Sequence, residues 1–180
     1  MAFSSPRYLL GCIVGLSLLL AGCGFQLRGT GVDNVDLDRL HITSVRPDST
    51  IYREIRQNLE ADDVTITPTA PYHLQLLNEN TDRVAVSYTG RATAAEIELR
   101  SELTFIITDA QGRPLVGPET LRTQRVYVND RDNLVGTGEE EELLQREMQR
   151  DLARQLLFRL SSLTESELSA REQALDRLTP

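Results

Sequence analysis

The sequence predicts an α+β domain in which two helices pack on one face of a mixed, mostly antiparallel sheet of about four strands. Three patterns carry that expectation. Ile51, Ile55 and Leu59 recur every four residues, and so do Leu144, Met148, Leu152, Leu156 and Leu160. Each set draws one apolar stripe along a helix. Between the two lie segments that alternate apolar and polar residues, the pattern of strands buried on one face. The order is therefore strand, helix, three strands, helix.

Leu40 to Val45 sets Leu40 and Ile42 against His41 and Thr43 and reads as a short strand that Pro47 stops. Asp48 or Ser49 is placed to cap a helix running to about Asp62. Asp62 and Asp63 oppose the dipole at a helix C-terminus, so the helix ends near them. Val64 to Thr67 suits a brief strand before Pro68 and Pro71. Tyr72, Leu74 and Leu76 alternate with His73 and Gln75, and Val84, Val86 and Tyr88 resume the pattern beyond a polar patch at Asn80 and Asp82. Gly90 and Arg91 make a turn.

Glu96 to Thr108 is the clearest strand. Ile97, Leu99, Leu103, Phe105 and Ile107 point one way with Ser101 among them, and Glu96, Glu98, Arg100 and Glu102 point the other. Asp109 to Gly112 forms a hairpin turn, and Leu121 to Val128 returns, with Arg122 and Arg125 set to offset the neighbouring glutamates if the register allows. Residues 129–138 read as a loop. The last helix begins at Glu139, where four consecutive glutamates suit the positive end of the dipole. Leu168, Leu175 and Leu178 give residues 164–180 a weak helical pattern, expected to be a flexible C-terminal tail.

The N-terminus carries a different signal. After Arg7, residues 8–20 are almost wholly apolar, too short to span a bilayer and suited to the hydrophobic region of a secretory leader. Leu20, Ala21, Gly22 and Cys23 follow, a sequence that resembles the bacterial lipobox. That likeness implies cleavage before Cys23, a thioether from its sulfur to diacylglycerol, and acylation of the new amino group. One acyl chain holds a protein only marginally, whereas several anchor it stably in outer-membrane lipid. The alternative is an ordinary leader whose cleavage site happens to contain a cysteine. The expected divisions are 1–22 signal peptide, 23–38 lipidated start and tether, 39–163 the α+β domain, and 164–180 tail. Cys12 falls in the leader, so the domain is expected to fold without a disulfide.

Charge and composition exclude several functions. All 19 basic residues are arginine, so no chemistry that needs a lysine amine is available. The net charge is −8, and loss of Arg7 with the leader makes it one unit more negative. Nucleic acid as a partner would need clustered cations on a basic domain. His41 and His73 are the two histidines, far apart in sequence and in separate expected strands, and no four-ligand zinc spacing accompanies them. No G-x-S-x-G elbow is present, and Glu139 to Glu142 read as a solvated helix start rather than an acid–base pair. The sequence therefore offers no catalytic residue, no metal ligand set and no cofactor site, and an enzyme is not expected.

Cys23, Gly24, Phe25, Gln26, Leu27, Arg28 and Gly29 form the most recognisable segment. Cys23, Gly24, Phe25, Leu27 and Arg28 match the start of mature LptE-family lipoproteins, and element order extends the resemblance to about Leu163. The resemblance implies a lipid-anchored protein of the cell outer membrane. It would sit as a plug in the lumen of the LptD β-barrel on the periplasmic side, one to one with it. It would help the barrel assemble and contact lipopolysaccharide in transit. The family's proposed lipid-contact cation in the turn between long strands maps to Arg91. Its second cation falls where this chain has Gly136, Thr137 and Gly138, and Arg131 is the nearest basic residue. The competing reading is a free-standing periplasmic lipid-binding or chaperone lipoprotein, which needs a concave apolar pocket.

Overall fold

A computed structural model describes residues 35–88, 90, 94–130 and 132–178. Cys23, Arg91 and Arg131 lie outside them, as do the expected leader and most of the tether. The described elements are β1 (Arg39–Ser44), α1 (Thr50–Ala61), β2 (Thr65–Ile66), β3 (Tyr72–Tyr88), β4 (Ala94–Asp109), β5 (Pro114–Val128), α2 (Leu134–Ser161) and α3 (Glu165–Leu178). Among the described residues the sheet has five strands in the order β2-β1-β3-β4-β5. β1 runs parallel to both β2 and β3, while β3, β4 and β5 form an antiparallel meander. The α+β class is as expected, with one more strand and one more helix.

Ser49 caps α1: its Oγ accepts from the Tyr52 amide at 3.1 Å. Ile51, Ile55 and Leu59 are the buried residues of that helix. Asp62 is its C-cap, and Asp63 follows with φ 64°, a left-handed conformation that Asp tolerates better than most residues. Facing α1 across the core are Leu74, Leu76, Leu103, Phe105 and Ile107 from the sheet and Leu152, Leu156 and Leu160 from α2. Burial of these leucines, isoleucines and one phenylalanine is the main force holding the layers together.

Along β3 the inward set changes parity. Leu76 pairs with Phe105, but Asn78 pairs with Thr104, so Leu77 is an extra residue in the ladder. Tyr72, Leu74 and Leu76 face the helices before the bulge, and Glu79, Thr81, Arg83 and Ala85 face them after it. Glu79 is thereby buried beside the start of α1, where the Ser49 hydroxyl donates to its Oε1 at 2.9 Å. Burial pushes the Glu79 carboxyl above the ordinary range, opposed by the Ser49 hydrogen bond and by Arg46. The bulge also explains why the polar residues Asn80 and Asp82 do not interrupt the strand: they lie on its solvent face.

Three boundaries differ from the sequence expectation. First, α2 begins at Leu134, not Glu139. Asn133 caps it by accepting from the Gly136 amide at 3.2 Å, and Thr137 Oγ1 donates to the Asp130 carbonyl at 3.1 Å. The glutamates therefore lie beyond the first turn. Second, β5 begins at Pro114, not Leu121. A register irregularity near Ile107 accommodates a cis Gly117–Pro118 bond. Gly117 has φ 87°, and a Cβ there would come within 2.8 Å of the Glu119 nitrogen and 2.9 Å of the Phe105 oxygen, so the position requires glycine. Third, residues 165–178 of the expected tail form α3. Leu168 is buried in the main core, Arg171 Nη1 donates to the Leu115 carbonyl at 3.2 Å, and Arg113 pairs with Asp176 at 2.6 Å.

A second, smaller core lies farther along the meander, where Ile97, Leu99, Tyr127 and Met148 cluster with Ala85 and Leu144. Polar residues separate it from the main core: Thr81 and Ser101 share a hydrogen bond of 2.7 Å.

Candidate functional site

The far end of the meander is where the sequence places its two candidate contact cations. Tyr88 pairs with Ala94 across the β3–β4 turn, and Glu96 pairs with Val128 at the end of β5. The Asn129 amide donates to the Ala95 carbonyl at 2.8 Å. The described residues that flank Arg91 and those that precede Arg131 thus meet at one end of the sheet. Arg91 and Arg131 themselves, like Cys23, are not among the described residues. The described flanks of Arg131 are acidic, Asp130 and Asp132, and the Asp132 amide donates to Asp130 Oδ1 at 2.9 Å.

Apolar side chains surround this end. Val86, Tyr88, Val126, Val128, Leu134 and Val135 are all exposed, Val135 to 75%. Just inboard, one polar network ties three elements together. Arg83 Nη2 donates to the Tyr127 hydroxyl at 2.9 Å, that hydroxyl donates to Glu141 Oε2 at 2.6 Å, and Arg83 reaches the same oxygen at 3.0 Å. Burial raises the Tyr127 phenol above its ordinary value, and the neighbouring Glu141 carboxylate raises it further. The network holds the first half of α2 over the smaller core.

The middle of the sheet's solvent face is polar. Asn78, Asn80 and Asp82 of β3 lie beside Thr104, Glu102 and Arg100 of β4 and then Thr120, Arg122 and Gln124 of β5. Arg122 meets Glu102 at 2.6 Å, as its spacing suggested. Arg125 does not join them: it faces the helices and pairs with Asp151 of α2.

His41 and His73 belong to separate strands in the sequence, and the structure brings them together. They are register partners on parallel β1 and β3, their rings stack at 4.1 Å, and Thr43 Oγ1 lies 2.8 Å from His73 Nε2. Burial lowers the His73 pKa, and His41 lowers it further. No signal in the sequence reports that β1 and β3 are neighbours, so the pair was not legible there. Among the described residues no three His, Cys, Asp or Glu side chains are arranged to hold a metal ion, and no buried side-chain polar atom lacks a partner. No helix of the described residues is long and apolar enough to cross a membrane.

Fold and surface together define a two-layer α+β domain that covers one sheet face with helices and leaves the other uncovered, polar along its middle and apolar toward the far end. A family model described as "LptE: Lipopolysaccharide-assembly" matches residues 37–160. An LPS-assembly lipoprotein LptE from Photorhabdus laumondii is 31% identical over 172 residues, covering 92% of both chains. Its counterpart from Yersinia pestis strain Pestoides F is 27% identical over 179 residues, covering 94% of this chain and 83% of that protein. Among solved structures, a lipoprotein B from Nitrosomonas europaea superposes with a TM-score of 0.67 at 22% identity, over 82% of this chain and 96% of that one. A minor lipoprotein from Acinetobacter baumannii gives a TM-score of 0.59 at 28% identity, over 69% and 91%. The chain belongs to the LptE family.

Proposed function

We propose that this chain is an outer-membrane lipoprotein, acylated at Cys23, that plugs and helps assemble an LptD-type β-barrel and contacts lipopolysaccharide during its delivery to the cell surface. The family match over residues 37–160 carries the reading, and relatives aligned over nearly the whole chain are named for lipopolysaccharide assembly. The physical fit supports it. A wide barrel leaves a polar lumen to be filled, and the middle of this domain's uncovered sheet face is polar. Anchoring at Cys23 raises the local concentration of domain and barrel for one another. Arg91 and Arg131 are the cations proposed to contact lipopolysaccharide, because arginine grips phosphate through two parallel hydrogen bonds. The reading as a free-standing lipid carrier needs an apolar pocket. The grooves beside Arg122 and beside His73 are instead lined mostly by polar side chains, which favours the plug.

Co-purification tests the proposal. Membranes solubilised in mild detergent should yield this chain with one large β-barrel at equal stoichiometry, and mass spectrometry should find an acylated Cys23 at the mature N-terminus. Elution of this chain alone overturns the plug reading. With the fold intact, Arg91→Glu should weaken lipopolysaccharide binding by the purified chain, and unchanged binding removes Arg91 from the contact.

A further inference from the structure

We propose that the groove between β5 and α2 binds a phosphoryl oxyanion, free or on a lipid headgroup, through Arg125, Arg150 and Arg154. The groove holds about 340 Å³ and is lined by Arg125 from the strand and by Glu147, Arg150, Asp151 and Arg154 from the helix. Three guanidiniums face two carboxylates, so the groove is locally positive in a chain whose net charge is −8.

The arginines are arranged rather than merely near. Asp151 pairs with both Arg125 and Arg154 and so sets two planar forks around the groove. Arg125 is fixed further, since its Nη1 donates to Thr123 Oγ1 at 3.2 Å and to the Gln124 carbonyl at 2.8 Å. Arg150 pairs with no carboxylate among the described residues. Its Nε donates to the Arg146 carbonyl at 3.4 Å, which leaves its two terminal nitrogens for a ligand. Forks held in place lose little entropy on gripping an oxyanion, and phosphoryl oxygens suit their paired N–H donors. Glu147, at the same groove, opposes an anion and sets a ceiling on affinity.

A second observation concerns the source of the phosphoryl group. Arg146, Arg150 and Arg154 follow one another at four-residue intervals, and the next position in that stripe is Phe158, which is 64% exposed. A phosphoryl group carried on an apolar chain can touch Phe158 as well as the arginines, so a lipid-borne group binds more tightly than a free one. The site rests on residues separate from Arg91 and Arg131 and does not depend on the barrel reading.

The test uses the full lipidated chain in neutral detergent. One titration adds inorganic pyrophosphate, and another adds detergent micelles carrying phosphatidic acid, with phosphatidylcholine micelles as the blank. Both phosphoryl probes should bind saturably at low salt and lose affinity at 1 M salt, where screening acts over about 3 Å. Arg150→Gln should weaken binding about tenfold, the loss expected for a charge-assisted contact, without lowering the melting temperature. Glu147→Gln should tighten it severalfold, and Arg53→Gln, on α1, should leave it unchanged. Phe158→Ser should weaken only the micelle titration. Binding of pyrophosphate with no preference for phosphatidic acid supports the arginine site, assigns it to free phosphate and overturns the Phe158 contact. Binding of the micelles alone supports it and assigns it to lipid. No saturable binding of either probe overturns the proposal, as does an Arg150→Gln chain that titrates like wild type. Co-purification of the barrel is unaffected by either result, so the two proposals fail separately.

Discussion

Asp109 closes the β4–β5 hairpin from the inside, and its removal gives the most direct test of how that turn is held. Its side chain is fully buried, with Oδ1 accepting from the Gln111 amide at 2.9 Å and the Arg113 amide at 2.8 Å, while Oδ2 takes Arg113 Nε at 2.5 Å. Asp109→Ala removes all three. Bonds to a charged group each contribute about 1.5–3 kcal/mol to stability, and a buried donor left unpaired costs more than an exposed one. Arg113 is 27% exposed and keeps its contact with Asp176, so water and that carboxylate recover part of the loss. The net expectation is about 3 kcal/mol, less than the sum of the bonds because of that recovery. For a domain of this size that lowers the melting temperature by about 6–12 °C. Asp109→Asn keeps an oxygen for the backbone amides but loses the charge, and should cost about half as much. Urea unfolding followed by circular dichroism measures both. A loss below about 1 kcal/mol for the alanine variant would refute the claim that this carboxylate organises the hairpin.

Gly117→Ala combines a positive φ with close approach to two backbone atoms, and should destabilise by about 1–3 kcal/mol in the same assay; a neutral result contradicts the steric argument. His73 has a folded-state pKa below its ordinary 6.5, so the stability it contributes is present above that value and is lost as pH falls through the lowered one. The melting temperature should therefore drop more steeply between pH 7.5 and 5.5 for wild type than for His73→Gln, and equal slopes would count against the stacked pair as the cause. Tyr127→Phe breaks the hydroxyl bridge between Arg83 and Glu141 at a cost of about 1–2 kcal/mol. Hydrogen exchange should then quicken in residues 139–147 and not in residues 152–160; uniform change across α2 would contradict a local latch.

The parts of the fold that were legible in the sequence are those where one periodicity governs one face. Ile51, Ile55 and Leu59 announce α1, and the odd-numbered residues from Ile97 to Ile107 announce β4, because burial alone decides those positions. The start of α2 was hidden because Leu134 and Val135 are exposed and Gly136 and Gly138 are poor helix formers; the Asn133 cap outweighs them. Pro114, Gly117 and Pro118 disguise the first half of β5, which forms because glycine tolerates the bend. α3 depends on tertiary contacts at Leu168 and Arg171 that no local pattern reports. The lipobox-like run from Leu20 to Cys23 is a local motif that the sequence alone displays, and it lies outside the described residues. The groove arginines carry a helical spacing that was readable too, but Arg125 joins them only through the β4–β5 register.

The extra residue at Leu77 works as a phase shifter. Ahead of it, the strand delivers leucines to the helices; behind it, the same alternation delivers Glu79 to the start of α1 and Arg83 to the Tyr127 network. A pleat that ran unbroken through Leu77 would turn every downstream side chain over, sending Asn78, Asn80 and Asp82 inward and Glu79 and Arg83 out to water, whereas deleting Leu77 removes the bulge and leaves those faces as they are. Which side chains reach the meander's far end is therefore decided by bulging one residue out of the ladder, and β3 keeps its faces only while that residue stays unpaired.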